Sequence, residues 1–452
     1  MRRLLMLFML GAFIAPAFAQ VHEYNLDNGM KLLVREDHRA PVVVSQIWYK
    51  VGASYEHNGI TGISHLLEHM MFKGTEKHGP GEFSRIIAEN GGRENAFTSK
   101  DFTAYFQQLE KSRLAVSFEL EADRMRNLTL PEEEFDKERK VVIEERKLRT
   151  EDNPRAQTYE QFNAAAFMTS PYRQPTIGWM NDLENLEVTD LRQWYRHWYA
   201  PNNATLVVVG DVEPDRVHAL AKQHFGRIPA AEPPAIKPRV EPPHTGERRI
   251  TVQEPAELPY LMLGYHVPVL NKVEAEWEAY ALEVMAGILS GSRSARLPSK
   301  LVRGQQIAAG ANANYSLYAR QNEQFVLSAT PAQGHDVAEL EQALLTEIDT
   351  LRNELVSEQE LDRIKAQVVA SDVYEKDSMF YQAMQMGILE TVGLGWQTME
   401  QYREKINAVT PEQIRKVARK YLRADNRTVA VLEPLPLNSA SSAATPPTTS
   451  PH

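Results

Sequence analysis

Apolar and polar residues alternate over positions 21–24 and again over 30–34, on either side of Asn28-Gly29, and this pattern predicts a β-hairpin. The run 41–51 is rich in β-branched and aromatic residues, with Val42-Val43-Val44 followed by Ile47-Trp48-Tyr49. An apolar stretch this continuous predicts a strand in the interior of a sheet, with Trp48 and Tyr49 in the core. Residues 59–62 read as a glycine-bounded loop leading to a helix with Ser64 at its N-cap, ending near Phe72 and stopped by Gly74. Positions 94–109, rich in Thr, Phe and Tyr after Gly91-Gly92, predict one or two strands. The helical period then dominates over 114–126 and from Pro131 to about Arg149, and returns over 188–198 ahead of a short buried strand at 204–209.

Periodicity fails where proline accumulates. Pro229, Pro233, Pro234, Pro238, Pro242 and Pro243 mark an extended, semi-rigid linker over 229–248. Beyond it the first half is echoed. Val188, Leu191, Tyr199 and the run from Thr205 to Val209 find counterparts in Val409, Ile414, Tyr421 and the run from Thr428 to Leu432. A spacing of about 220 residues means a duplicated domain rather than a solenoid. The expected organisation is therefore 20–228 and 249–436 as two homologous domains, with a Ser/Thr/Ala/Pro-rich tail over 437–452 that lacks the apolar residues to fold.

Composition narrows this picture. A chain of 452 residues with 43% hydrophobic and 24% charged residues is globular and too long for one core. The net charge of −10 and a pI near 5.8 argue against a nucleic-acid partner. Arg2 and Arg3, an apolar stretch over 4–14, and Ala17-Phe18-Ala19 before Gln20 read as a cleavable export signal over 1–19. No later stretch is long and apolar enough to cross a bilayer, so no membrane insertion of the mature chain is expected. Cysteine is absent, which removes disulfides, lipidation and a thiol nucleophile, and limits a metal site to His and carboxylate ligands. A large cysteine-free exported chain points to a periplasmic location.

The candidate chemistry sits in His65-Leu66-Leu67-Glu68-His69. On a helix, His65 and His69 share one face and Glu68 stands beside them. Two neutral imidazoles with one more anionic ligand suit Zn²⁺ with a fourth position open to water, and Glu68 is close enough to act as general base. This is the inverted form of the commoner His-Glu-x-x-His pattern. The region of the second half that matches this helix, around 281–291, carries no histidine, so one metal per chain is expected. The third ligand is not settled by spacing. Glu138 and Glu145, seven residues apart, share a helix face, whereas Glu144 points about 100° away. Arg139, Lys140, Arg146 and Lys147 lie among them, and a solvated ion-pair face explains the same pattern.

Taken together, these residues resemble the M16 metallopeptidases, the pitrilysin/insulinase family of inverted-motif zinc enzymes, and within it the branch of short two-domain subunits related to mitochondrial processing peptidase. The family's third-ligand stretch resembles Glu138-Arg139-Lys140-Val141-Val142-Ile143-Glu144-Glu145. The resemblance implies Glu145 as the third ligand and Glu138 as a supporting acid of the catalytic site. It also implies an α+β fold of two homologous domains, each a mostly antiparallel sheet packed with helices. Asn95-Ala96-Phe97-Thr98 resembles the edge strand to which a peptide substrate adds as an extra strand. Arg303 takes the place of a substrate-binding arginine, but seven residues on stands Gly310 where the family carries Tyr, and Tyr315 is too far along to be assumed a substitute. The resemblance further implies a dimer, including a heterodimer in which a metal-free subunit supplies the missing pair. Two other readings use the same residues: a non-catalytic scaffold subunit and a peptide-binding module that does not cleave. Bound zinc separates the first from an enzyme, and the fate of the peptide separates the second.

Overall fold

The computed structural model describes residues 20–437; the expected export signal over 1–19 and the tail from 438 lie outside them. In the first half, β1 (Val21–Asn25), β2 (Lys31–Glu36), β3 (Val42–Tyr49), β4 (Arg93–Thr98), β5 (Thr103–Glu110) and β6 (Ala204–Gly210) form one sheet in the order β1-β2-β6-β3-β5-β4. All neighbours are antiparallel except β2 and β6. Its helices are α1 (Ile63–Met70), α2 (Glu82–Glu89), α3 (Leu114–Arg126), α4 (Glu132–Arg146), α5 (Pro154–Ala166), α6 (Met180–Asn185), α7 (Val188–Trp198) and α8 (Pro214–Phe225). The hairpin turns at Gly29, whose φ of 85° suits a residue without a side chain. Positions 94–109 form two strands, and Pro131 stands at the N-cap of α4, one residue outside the helix.

Residues 229–247 carry neither helix nor strand and lead to a second sheet. Here β7 (Arg248–Pro255), β8 (Tyr260–Val267), β9 (Ala308–Asn314), β10 (Glu323–Pro331) and β11 (Arg427–Leu435) are ordered β7-β11-β8-β10-β9. The one parallel pair, β7 with β11, takes the place of β2 with β6. The helices are α9 (Trp277–Ser290), α10 (Val337–Asn353), α11 (Glu358–Glu375), α12 (Met379–Thr391), α13 (Thr398–Asn407) and α14 (Pro411–Tyr421). The fold is thus the expected α+β duplication, with β4 and β9 as equivalent sheet edges.

Both faces of each sheet are covered, which explains why the strands read as unbroken apolar runs. Along β2, β3 and β6, residues Leu32, Val34, Val43, Ile47, Leu206 and Val208 point into the core beneath α1, α3 and α7. Their alternates, Leu33, Val44, Trp48, Val207 and Val209, point the other way and pack against Ala383, Met386 and Leu389 of α12, a helix of the second half. The exchange is mutual. Helix α5 of the first half lies on β7 and β11, with Phe162 against Met262 and Ala430. Two glycines make the approach possible: a Cβ on Gly387 would stand 2.1 Å from the Trp48 ring, and one on Gly264 would stand 2.3 Å from Phe162. Between the halves, Asp101 (4% exposed) accepts hydrogen bonds from Ser54 Oγ (2.7 Å) and the Arg320 backbone N–H (2.9 Å), so this buried charge is satisfied across the junction.

Gly387→Ala should therefore overpack the exchange and destabilise the chain by about 1–3 kcal/mol in urea unfolding. Gly310→Ala, where a Cβ meets nothing within 4 Å, should change stability by no more than about 0.5 kcal/mol. Equal effects at the two positions would contradict the packing described.

Candidate metal centre

Helix α1 starts on a carboxylate rather than on its expected cap. Gly62, not Ser64, occupies the N-cap with φ 87°, and a Cβ there would stand 2.5 Å from the Ile177 carbonyl oxygen. The buried Glu56 carboxylate accepts from the backbone N–H groups of Gly62 (2.7 Å) and Ser64 (2.9 Å), doing the work assigned to the Ser64 side chain. Burial raises the Glu56 pKa to about 7 against the opposing pull of those N–H groups. Asp182 secures the preceding loop through Gly59 N–H (3.0 Å) and the Thr61 hydroxyl (2.6 Å). With Leu66, Leu67 and Met70 fully buried on one face of α1, the period of the helix puts His65, Glu68 and His69 on the other.

Helix α4 packs against that second face. Glu144 turns to solvent and pairs with Lys147 (2.7 Å), while Glu138 and Glu145 meet the histidines. Glu145 Oε2 stands 3.8 Å from His65 Nε2 and 3.6 Å from His69 Nε2. Glu138 Oε2 lies 3.2 Å from His69 Nδ1, and its other oxygen is 2.6 Å from Lys73 Nζ. A hydrogen on Nδ1 of His69 suits this contact, and the neutral tautomer that carries it turns Nε2 toward Glu145 as a ligand nitrogen. His65 is neutral: burial, followed by the proximity of His69 and Arg149, pushes its pKa down to about 3. Two imidazoles and one carboxylate thus converge on one point. In a tetrahedral site with bonds of about 2.1 Å, ligand atoms stand about 3.4 Å apart, so the observed spacing fits Zn²⁺ with little movement. Nδ1 of His65 is buried without a partner among the described residues, in contrast to Nδ1 of His69.

Glu68 stays out of this triangle. Burial raises the pKa of its carboxylate, partly offset by the Thr98 hydroxyl, which donates to Oε2 at 2.5 Å. Arg149 Nη1 lies 2.7 Å from Glu145 Oε1 but is 74% exposed, so the pair contributes little. A cleft of about 330 Å³ opens beside His65 and Glu145, walled by Thr98, Lys100, Tyr159 and Gln174.

The residues expected to meet substrate are divided. Asn95, Ala96, Phe97 and Thr98 lie on β4, bonded only to β5, so the opposite backbone edge of the strand has no partner in the sheet. Asn95 is exposed, Phe97 packs against Trp48, and Thr98 reaches the site through its hydroxyl. Arg303 stands apart in the second half, exposed, donating to the Arg293 carbonyl (2.7 Å). Gly310 lies on β9 with open space around it, and the Tyr315 hydroxyl is engaged by the Pro268 carbonyl (2.7 Å). Beneath α9, where the second half repeats the motif helix, a cavity of about 620 Å³ is lined by Glu283, Tyr315, Tyr318 and Tyr402, with no histidine.

Sequence reasoning did not identify Glu56, Lys73 or the hydroxyl of Thr98. A signal existed for the first: an acid just before a glycine-bounded loop that opens a helix suits the unsatisfied N–H groups there. The other two are tertiary meetings without a local pattern.

Comparison with known proteins bears on the family of the chain. Residues 31–178 match the family described as insulinase (peptidase family M16), and residues 185–368 match the peptidase M16 inactive domain. The chain is 32% identical over 366 residues to the zinc protease PqqE of Helicobacter pylori, covering 80% of this chain and 81% of that one. It is 25% identical over 415 residues to the uncharacterized zinc protease YmxG of Bacillus subtilis, covering 92% and 98%. Among solved structures, a protease from Helicobacter pylori superposes with a TM-score of 0.87 at 29% identity, over 92% of this chain and all of that one (100%). The periplasmic protease PqqL from Escherichia coli shares the fold, with a TM-score of 0.77 at 20% identity, over 94% of this chain and 49% of that one. A duplicated fold whose two halves each match an M16 domain, shared at this length with a named zinc protease, places the chain in peptidase family M16.

Proposed function

We propose that this chain is a zinc-dependent endopeptidase of the periplasm, acting on peptides and small unfolded proteins. The observation that carries the proposal is the convergence of His65, His69 and Glu145 on one point, with Glu68 beside it and the open edge of β4 alongside. Zinc held there by His65, His69 and Glu145 would supply Lewis acidity toward a carbonyl and lower the pKa of a water. The rest falls to the chain. The free edge of β4, over Asn95–Thr98, pairs with the backbone of an extended peptide and holds its scissile bond against α1; recognition through the backbone makes little demand on side chains. Glu68 accepts the proton of the attacking water and delivers it to the departing amide nitrogen, while Thr98 holds the carboxylate in place. Glu138 orients His69 through Nδ1 and so turns Nε2 toward the site, and Lys73 holds Glu138 in place.

The periplasmic assignment rests on the reading of residues 1–19 as an export signal, and no helix among the described residues is long and apolar enough to cross a membrane. Gly310 favours a dimeric form of the same reading. With open space where the family carries Tyr, a second subunit without the metal motif would supply the missing contact to the substrate carbonyl.

Glu68→Gln should keep its zinc and lose at least about 10²-fold in peptide cleavage; normal turnover by this variant would remove Glu68 as the base. Glu138→Ala should weaken zinc binding by about 10–100-fold in a chelator competition, because His69 loses its orienting acceptor; unchanged affinity would reduce Glu138 to a surface ion pair with Lys73. Full cleavage by the purified chain alone, as a monomer, would dismiss the split site drawn from Gly310.

A further inference from the structure

A second group of metal-ligating side chains lies outside the site already described. Glu241 and His244 belong to the segment between the halves, and His266 stands on β8. One ligand atom from each lies within 4.8 Å of the other two. The two imidazoles, their centroids 4.2 Å apart, both direct Nε2 at the carbonyl oxygen of Ala166, the last residue of α5, at 3.0 and 2.9 Å. A carbonyl only accepts, so Nε2 carries the hydrogen on both rings and each Nδ1 retains its lone pair. His244 is only 9% exposed, and its Nδ1 is buried with no partner among the described residues.

The surroundings match those of a held cation. An imidazole that donates one nitrogen to a backbone carbonyl and keeps the other free has the orientation typical of a metal-binding histidine. The Glu241 carboxylate is immobilised by the backbone N–H groups of Met168 (2.7 Å), Thr169 (2.8 Å) and Ser170 (2.8 Å), and by the Thr169 hydroxyl (3.2 Å). It has no ion-pair partner among the described residues. Arg248, a neighbouring cation, donates to the carbonyls of Ala165 (2.9 Å) and Ala166 (2.7 Å).

We propose that Glu241, His244 and His266 bind a second divalent cation of the zinc class, serving as a structural tie. The donor set excludes magnesium and calcium, which take oxygen ligands, and suits zinc. The bound ion would join the inter-half segment to β8, and through the hydrogen bonds of Glu241 it would hold the turn after α5 against both. In a chain without cysteine, this clamps α5 where it crosses onto the second sheet. The proposal is independent of the peptidase reading, since it concerns other residues.

The test uses the full mature chain carrying His65→Ala and His69→Ala, which removes two ligands of the first site. After dialysis against trace zinc, elemental analysis should find about two zinc ions in the parent chain and about one in this variant, with none once His244→Asn is added. Cobalt(II) added to the histidine-motif variant should give visible bands of an N/O-ligated ion. Zinc should also raise the unfolding temperature of that variant, a readout that needs no further substitution. A motif variant that binds no zinc, shows no cobalt bands and gains no thermal stability overturns the proposal, as does zinc retained at full stoichiometry after His244→Asn in a folded chain.

Discussion

Three metal-ligating side chains, His65, His69 and Glu145, converge on one point at the centre of this molecule. His69 Nε2 stands 3.6 Å from Glu145 Oε2, His65 Nε2 stands 3.8 Å from the same oxygen, and Glu138 holds His69 from behind at Nδ1. Two imidazoles and a carboxylate at this spacing suit a divalent cation. Much of the surrounding architecture bears on this point. Glu56 and Asp182 fix the loop that starts α1, the core face of α1 sets its rotation, and α4 brings two acids to meet it two turns apart.

Rigidity comes from the way the halves cover each other. Each sheet would expose an apolar face if its half stood alone. Instead α12 of the second half covers the first sheet, and α5 of the first half covers the second. The tight approaches at Gly387 and Gly264 leave little room for sliding, and the Asp101 cluster ties the loop after β4 to Arg320. Strand β4, its hydroxyl contact to Glu68 and helix α1 are therefore held as one unit. Precise placement of this kind is what a general base and a positioned peptide require.

Much of this was legible in the sequence, for identifiable reasons. Helices over 114–126 and 188–198 and the apolar strands stood out because period and turn signals are local properties. The motif at 65–69 was legible because i and i+4 on a helix share a face whatever surrounds them. Glu145 was legible only through resemblance, since the ion-paired face that also explains its spacing exists in part: Glu144 does pair with Lys147. Hidden from the sequence were the features made by distant segments. The exchange of α5 and α12 was one, although the two-sided apolar runs of β3 and β6 implied that something covered the second face. The cap at Glu56 was another. The expectation of Ser64 at the N-cap followed local preference, and the structure satisfies the same N–H groups from a loop instead.

The most direct measurement is anomalous diffraction at the zinc edge from crystals of the mature chain, grown with an uncleaved peptide bound to the Glu68→Gln variant. The account predicts a zinc peak bonded to His65 Nε2, His69 Nε2 and a Glu145 oxygen at about 2.0–2.2 Å, with the peptide paired along β4. A zinc-loaded crystal with no peak between these residues, or a peptide bound away from β4, would contradict it.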